Sequence, residues 1–230
     1  MRFGIVTFPG SNSDIDAYQT VVEGIGEDAV MLWHKGHDLA GADVLILPGG
    51  FAYGDYLRAG AIARFSPIMR EVCAFADRGG RVLAICNGFQ IACEAGLLPG
   101  ALVRNAGLTF LGRSVRVRVE NTGTAFTNAY ASGQVLRLPV AHGDGRFVAD
   151  AAVIDELEGE GRVVMRYVDA AGDATAEGNP NGSMHNIAGI ISAAGNVLGL
   201  MPHPERAADA LLGAPDGLRM FESLVARVTA

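Results

Sequence analysis

Short apolar runs alternate with polar, glycine-containing segments along the first half of the chain. Four of these runs have the length and composition of buried strands, and they lie at residues 3–8, 29–33, 44–47 and 81–85. Apolar residues at helical spacing occupy residues 15–25, residues 61–76 and a short segment that ends at Cys93. Continuously apolar strands separated by helices predict a parallel sheet with both faces covered.

The middle of the chain has a different pattern. Residues 114–120 alternate strictly between apolar and polar side chains, which predicts a half-exposed strand. In this prediction three valines face the core and two arginines face solvent, namely Val115, Val117, Val119, Arg116 and Arg118. Further strand candidates lie at residues 135–140, 145–148 and 163–168. Together these strands predict a mixed or antiparallel extension of the sheet.

The last part of the chain begins with a long polar loop, predicted at residues 169–186. Two strands follow at 187–192 and 197–201 and form a predicted hairpin, and an amphipathic helix is predicted at 217–228. We find no internal repeat and no linker. The expected architecture is therefore one α/β domain over residues 1–230, with a mostly parallel sheet flanked by helices and an antiparallel extension.

Composition limits the classes to which the protein can belong. Half of the 230 residues are hydrophobic and 19% are charged, a balance that excludes a disordered chain. The formal net charge of -7 argues against a nucleic-acid partner, because proteins that bind the phosphate backbone normally present a basic face. Residues 178–202 carry no acidic or basic charge, but their asparagines are costly in lipid, so no membrane segment is expected.

Cysteine usage predicts the compartment. The three cysteines, Cys73, Cys86 and Cys93, are sparse and show no pairing pattern, which indicates a reducing environment. The apolar run near the N-terminus is too short for the core of a signal peptide. A cytoplasmic location is therefore expected.

Cys86 is the strongest candidate for chemistry. It follows a buried strand and precedes a helix within Ala84-Ile-Cys-Asn-Gly88, which is the arrangement of a nucleophile elbow. The helix N-terminus favours the thiolate, and the backbone N–H of Asn87 would point towards the same pocket. A lone cysteine is more often a small core residue, and that interpretation is kept for Cys73 and Cys93. The position of Cys86 favours a nucleophile.

A base for this nucleophile is available late in the chain. His203 and Glu205 stand two residues apart within Pro202-His-Pro-Glu205, where the prolines favour extended backbone and place both side chains on similar sides. A carboxylate beside an imidazole orients it for proton transfer. The alternative is a proline-rich turn with an exposed histidine and glutamate, which would be preferred if Cys86 were absent.

Other polar positions give weaker signals. Gly49 and Gly50 follow the third strand, where a backbone N–H could serve an oxyanion hole, although Gly-Gly after a strand is more often only a turn. His34 and His37 are interpreted as turn residues with surface or structural roles, and His142 as a possible pocket residue. No histidine has metal-ligand spacing, and neither a P-loop nor GxGxxG is present at the expected place, so no nucleotide site of its own is expected.

With Cys86-Asn-Gly-Phe-Gln90 and Pro202-His-Pro-Glu205, the chain resembles the class I (triad) glutamine amidotransferases. Residues 3–12, 48–61, 142–147 and 178–183 make it similar, within that class, to the small, separate-chain glutaminase subunits of phosphoribosylformylglycinamidine synthase. Small departures, such as Ala52 and Asp144 in place of Ser and Glu, put nothing in doubt. The resemblance covers nearly the whole chain and implies a flavodoxin-like fold.

The resemblance also implies a mechanism and partners. Cys86 would attack the side-chain amide of L-glutamine, His203 would move the protons and Glu205 would orient His203. Backbone N–H groups near Gly50 and Asn87 would hold the oxyanion, and Gln90 would contact glutamine. No cofactor is expected on this chain. The ammonia would pass to a large synthetase subunit that holds ATP and Mg, and a further small subunit often bridges such assemblies.

Two alternatives remain open at this stage. One is a stand-alone hydrolase or stress protein of the related superfamily with a cysteine elbow, against which the late Pro-His-Pro-Glu segment argues. The other is a non-catalytic regulatory subunit, against which the intact set of Cys86, His203 and Glu205 argues.

Overall fold

A mixed β-sheet flanked by helices forms the centre of the protein in a computed structural model, which describes residues 1–213 and 215–226. The strands of this described part are β1 (Arg2–Thr7), β2 (Asp28–Trp33), β3 (Val44–Leu47), β4 (Arg81–Ile85), β5 (Ala101–Val103), β6 (Leu111–Val119), β7 (Val135–His142), β8 (Arg146–Val148), β9 (Val163–Val168), β10 (Ile187–Ile191) and β11 (Val197–Leu200). Its α-helices are α1 (Asp14–Gln19), α2 (Pro67–Asp77), α3 (Asn87–Glu94), α4 (Ala151–Gly159) and α5 (Leu218–Val225).

The main sheet has nine strands in the order β2-β1-β3-β4-β11-β10-β9-β6-β7. The first five strands in this order are parallel, and their arrangement corresponds to the 2-1-3-4-5 order of flavodoxin-like folds. The remaining four strands continue the sheet by antiparallel pairing. The predicted flavodoxin-like fold with an antiparallel extension is confirmed.

Burial explains the two sequence patterns. All four residues of β3 and the last four of β4 are buried, because helices cover both faces of the parallel half. In β6 only one face meets the core, so Val115, Val117 and Val119 are buried while Arg116 is exposed. The continuous apolar pattern therefore indicates a strand covered on both faces of the sheet, and the alternating pattern indicates a strand covered on one face.

Two local predictions need correction, and one helix was not predicted. The helix predicted over residues 61–76 is broken at Ser66, because Pro67 disfavours helical backbone in the preceding residue; α2 begins only at Pro67, after a short turn at Ala63–Phe65. The strand predicted at 145–148 does not extend the main sheet but pairs with β5 in a separate two-stranded sheet. Helix α4 was not predicted, since only Ile154 and Leu157 of its short apolar face are buried.

The ends of two further predicted helices also differ. After α1 the chain makes one π-helical turn, Thr20–Gly24, before it leaves the helix. The C-terminal helix predicted over 217–228 is observed as α5, and residues 227–228 lie outside the described residues. No helix in the described part of the chain has both the length and the apolar character needed to cross a membrane.

Candidate active site

Cys86 stands between β4 and α3 on sharply turned backbone, with φ 51° and ψ -105°. A non-glycine residue in this region is strained, and such strain is concentrated at functional sites. The Cys86 N–H holds the turn by donating to the Leu200 carbonyl at 2.7 Å. Gly88 permits the turn, because a Cβ there would lie 2.0 Å from the Leu47 carbonyl oxygen. The sharp strand-to-helix turn predicted at Cys86 is therefore present.

His203 and Glu205 form a buried pair just after β11. Nδ1 of His203 lies 2.6 Å from Oε1 of Glu205, and both side chains are almost fully buried, in contrast to the exposed turn that was the alternative. The His203 N–H donates to the Pro139 carbonyl at 2.8 Å, which ties the segment to β7. Because Nδ1 faces the carboxylate, Nε2 is the nitrogen left for chemistry.

The topology brings the thiol and the imidazole together. Strands β4 and β11 are parallel neighbours with Ile85 opposite Leu200, so their carboxyl ends place the Cys86 side chain next to His203. Nε2 of His203 has no hydrogen-bond partner of normal geometry among the described residues. Burial lowers the pKa of His203, but the Glu205 carboxylate and the Cys86 side chain outweigh burial and raise it above its ordinary value.

A pocket of about 220 Å³ gives access to Cys86. Gly50 and Gln90 also line it, whereas Asn87, His203 and Glu205 are buried and are not among its lining residues. The lining residues are Gly50, Phe51, Asp55, Cys86, Gln90, Arg104, Leu108, Thr109, Phe110, Ala141, His142, Gly143 and Asp144.

The side chain of Asn87 ties two walls of this pocket together. Its Oδ1 accepts the Ala52 N–H at 3.0 Å, and its Nδ2 donates to Gln90 Oε1 at 2.8 Å and to Asp55 Oδ1 at 3.2 Å. Gln90 in turn donates to the Asp144 carbonyl at 2.6 Å. The backbone N–H of Asn87 is the first of α3, and the first N–H groups of a helix have no intrahelical acceptor.

Gly50 has a conformation that glycine accommodates best. Its φ is 150°, it makes an antiparallel bridge with Ser11, and a Cβ there would lie 2.6 Å from the Gly10 carbonyl oxygen. Close backbone approach of this kind requires the absence of a side chain. This close approach places the backbone that follows β3 in the lining of the pocket, together with Cys86.

Three charged lining residues were missed by the sequence analysis as site residues, namely Asp55, Arg104 and Asp144. Burial, and then the nearby Asp144, raise the pKa of Asp55 to about 6, and the hydrogen bond from Asn87 opposes this shift. The three residues come from different loops, so no local pattern in the sequence brings them together.

His142 lines the pocket, as the sequence analysis suggested. Its Nδ1 lies 3.1 Å from Asn105 Oδ1, and its Nε2 is buried without a partner among the described residues. Burial, together with the neighbouring His203, lowers the pKa of His142 to about 4. The ring is therefore neutral near pH 7, beside an imidazole whose environment favours the charged form.

The remaining histidines and cysteines differ in environment. His37 and His185 are exposed, whereas His34 is buried, which excludes a surface role for His34. All three cysteines are free, and burial raises the pKa of the Cys73 and Cys93 thiols. Within the described residues, no group of three or more His, Cys, Asp and Glu side chains is arranged to hold a metal ion.

The fold and the arrangement of thiol, imidazole and carboxylate can be compared with known families. The family of the CobB/CobQ-like glutamine amidotransferase domain matches residues 1–223. The class defined by the fold and the site is therefore that of the glutamine amidotransferases.

Individual relatives narrow the assignment. The chain is 61% identical over 225 residues to phosphoribosylformylglycinamidine synthase subunit PurQ of Chlorobaculum tepidum, covering 98% of this chain and 96% of that one. It is 55% identical to the subunit of the same name from Salinibacter ruber, covering 99% and 97%. A chain in the structure of PurLQS from Thermotoga maritima superposes with a TM-score of 0.87 at 42% identity, covering 97% of both chains. This chain belongs to the PurQ family.

Proposed function

We propose that the protein is the glutaminase subunit of phosphoribosylformylglycinamidine synthase. It hydrolyses L-glutamine to glutamate and ammonia. It then passes the ammonia to an ATP-dependent synthetase subunit, which converts formylglycinamide ribonucleotide to formylglycinamidine ribonucleotide in purine biosynthesis. PurQ relatives that match nearly the whole chain support this assignment. The observation that carries the chemistry is the meeting of Cys86 with the His203–Glu205 pair at the ends of β4 and β11.

In the first half-reaction, Cys86 attacks the side-chain carbonyl carbon of glutamine. His203 takes the thiol proton at Nε2 and then gives it to the departing nitrogen, which leaves as ammonia while a γ-glutamyl thioester remains on Cys86. Glu205 holds Nδ1 and stabilises the imidazolium. The raised pKa of His203 supports this role, because its environment favours the charged intermediate state.

In the second half-reaction, His203 takes a proton from water, and the resulting hydroxide attacks the thioester. The proton returns to the Cys86 sulfur, glutamate leaves, and the site is restored. Both half-reactions pass through a tetrahedral oxyanion. We assign its stabilisation to backbone N–H groups at Gly50 and Asn87, which flank the nucleophile.

Gln90 is assigned a substrate-binding role. It lines the pocket with Cys86, and hydrogen bonds to Asn87 and Asp144 hold its side chain in place. A side chain held at both ends presents a preorganised surface to glutamine.

The ammonia acceptor lies on other chains in this proposal. ATP and Mg belong to the large synthetase subunit, and a further small subunit bridges the assembly. Three exposed apolar side chains that line the pocket support docking of a partner there; we call Phe51, Leu108 and Phe110 the apolar rim. Phe51 and Phe110 stack across the rim with ring centroids 6.4 Å apart.

We further propose that residues 1–230 form a single domain in the cytoplasm. One hydrophobic core contains residues from β1 through α5, which supports a single folding unit. The three free thiols are those of a protein that works in a reducing compartment.

The test is the Cys86→Ser substitution in the complex with the synthetase. Glutamine-dependent synthesis is expected to be lost, because the serine hydroxyl is not activated at this site, whereas ammonia-dependent synthesis is retained. Cys73→Ser is the matched control and should retain both activities, since Cys73 lies in α2, away from the pocket lining. Loss of both activities by the assembled Cys86→Ser complex would contradict the proposed division of labour.

A further inference from the structure

One wall of the pocket is made by a loop with strained backbone. Residues 50–57, which we call the strained loop, begin at Gly50 and contain three non-glycine residues with positive φ: Tyr53 at 55°, Asp55 at 53° and Leu57 at 69°. Such conformations persist only where the surrounding contacts determine them. The contacts that hold this loop therefore help to determine the position of the backbone at Gly50.

Tyr53 makes the principal side-chain anchor between the strained loop and the scaffold beneath it. Its hydroxyl lies 2.7 Å from Nδ1 of His34 and 2.9 Å from Oγ of Ser66. His34, just after β2, is 3% exposed, and Ser66, just before α2, is 5% exposed. The Tyr53 and His34 rings also meet edge to face, with centroids 5.4 Å apart. The anchor therefore joins the loop to the ends of two regular elements.

The Ser66 hydroxyl contacts Tyr53 and does not cap its own helix, α2. Ser66 occupies the N-cap position of α2, where a serine hydroxyl usually accepts a backbone N–H of the first turn, but it makes no capping hydrogen bond. Its Oγ instead lies against the Tyr53 hydroxyl, with His34 Nδ1 3.4 Å away. The missing cap is unfavourable for α2. This local cost is explained if Ser66 instead helps to position the strained loop through Tyr53.

Backbone hydrogen bonds connect Tyr53 to the part of the strained loop that lines the pocket. The Tyr53 N–H donates to the Pro9 carbonyl at 2.7 Å, and the Phe51 N–H donates to the Gly10 carbonyl at 2.9 Å. Between them, the Ala52 N–H donates to Asn87, the residue after the nucleophile. The segment from Tyr53 back to Gly50 is thus held in one continuous arrangement against the loop after β1 and the start of α3.

We propose that Tyr53, through the hydrogen bonds of its hydroxyl to His34 and Ser66, is the positioning residue for the oxyanion donor at Gly50. The inference rests on the proposed glutaminase function. Without the hydroxyl, the strained backbone relaxes and the donor N–H moves away from the developing oxyanion. Binding of glutamine and the nucleophilicity of Cys86 do not depend on this anchor.

The test is Tyr53→Phe in the reconstituted complex with the synthetase. We expect kcat for glutamine hydrolysis to fall by about 10- to 100-fold, as displacement of one oxyanion donor would cause, with KM changed by less than about threefold. Ammonia-dependent synthesis should be unchanged. Alkylation of Cys86 by iodoacetamide should keep its rate, because that displacement forms no oxyanion.

Two further variants sharpen the test. Tyr56→Phe removes the hydroxyl of a tyrosine that is 74% exposed on the same loop and should leave kcat unchanged. Ser66→Ala removes one partner of the Tyr53 hydroxyl and should lower kcat in the same direction, by less than Tyr53→Phe, so the proposal remains testable if Tyr53→Phe does not fold.

The outcomes separate this inference from the proposed function. A wild-type kcat in both Tyr53→Phe and Ser66→Ala would overturn the positioning role, as would a parallel loss of kcat and of iodoacetamide labelling, which would indicate a merely structural role. An inactive wild-type complex that retains ammonia-dependent synthesis would overturn the proposed glutaminase function instead.

Discussion

At His203, two neighbouring groups compete with burial. Burial lowers the pKa of a histidine, yet the Glu205 carboxylate at 2.6 Å and the Cys86 side chain raise it overall. Since the folded-state pKa lies above that of the unfolded chain, the pair adds stability that is fully present below about pH 6.5 and is lost as the pH rises through the folded-state value. His142 nearby shows the opposite result, because it has no carboxylate partner and burial dominates.

Glu205→Gln tests this balance. Without the carboxylate, the pKa of His203 should fall, which the imidazole resonances followed by NMR across a pH titration would measure. The kcat for glutamine should fall by on the order of 10²- to 10⁴-fold, since the base loses its orientation and the imidazolium loses its counter-charge.

Glu160→Gln provides the control for this change. Glu160 is an exposed residue that forms an ion pair with Arg162, and it is not part of the proposed site. Its substitution should alter neither the His203 titration nor kcat. An unchanged or higher His203 pKa in Glu205→Gln would show that the carboxylate does not stabilise the charged ring.

Among the elements, α3 has a strict packing requirement at Gly88. Its first turn approaches the end of β3 so closely that a side chain at Gly88 would meet the Leu47 carbonyl, and this approach sets the backbone turn at Cys86. A helix normally gains from replacing glycine with alanine. At Gly88 the packing of the helix against the sheet reverses that preference.

Gly88→Ala should therefore destabilise the protein, by about 1–3 kcal/mol as typical for overpacking, and should lower glutaminase activity through displacement of Cys86. Thermal unfolding and kcat would measure the two effects. Gly159→Ala is the matched control, because Gly159 ends α4 and its missing Cβ would meet no atom within 4 Å. If both variants unfold at the wild-type temperature, the close approach does not constrain α3.

At the scale of the whole molecule, a group of exposed apolar side chains lies at the pocket. The apolar rim lines the pocket that leads to Cys86, and its member Leu108 is 73% exposed on backbone with positive φ. Exposed apolar patches beside a site mark contacts with other molecules. A partner seated there would receive ammonia at the mouth of the pocket.

Leu108→Asp should weaken binding of the synthetase. Aspartate tolerates positive φ better than leucine, so the fold is retained, while an apolar contact is replaced by a charge. We expect Kd, measured by calorimetry, to rise by about 30-fold or more, as for an interface hot spot. Leu211→Asp, at a leucine that is 93% exposed and outside the rim, should leave Kd unchanged. Equal effects of the two substitutions would argue against docking at the rim.

Local sequence determined the features that depend on neighbouring residues. The bounds of β3, β4 and β9 follow from short apolar runs, and the alternation in β6 follows from one covered face. The sharp turn at Cys86 and the extended backbone at His203 follow from small residues and prolines nearby. The class of the fold and the proposed nucleophile and base were therefore accessible without coordinates.

Tertiary structure decided what depends on residues distant in the chain. Pairing of β8 with β5 rather than with the main sheet is a choice between strands of similar local pattern. The pocket wall joins Asp55, Arg104 and Asp144 from separate loops, and the burial of Asp55, together with the nearby Asp144, raises the pKa of Asp55. The positive φ of Tyr53 cannot be read from the local sequence, because its hydroxyl contacts His34 and Ser66, which only the folded chain brings to it.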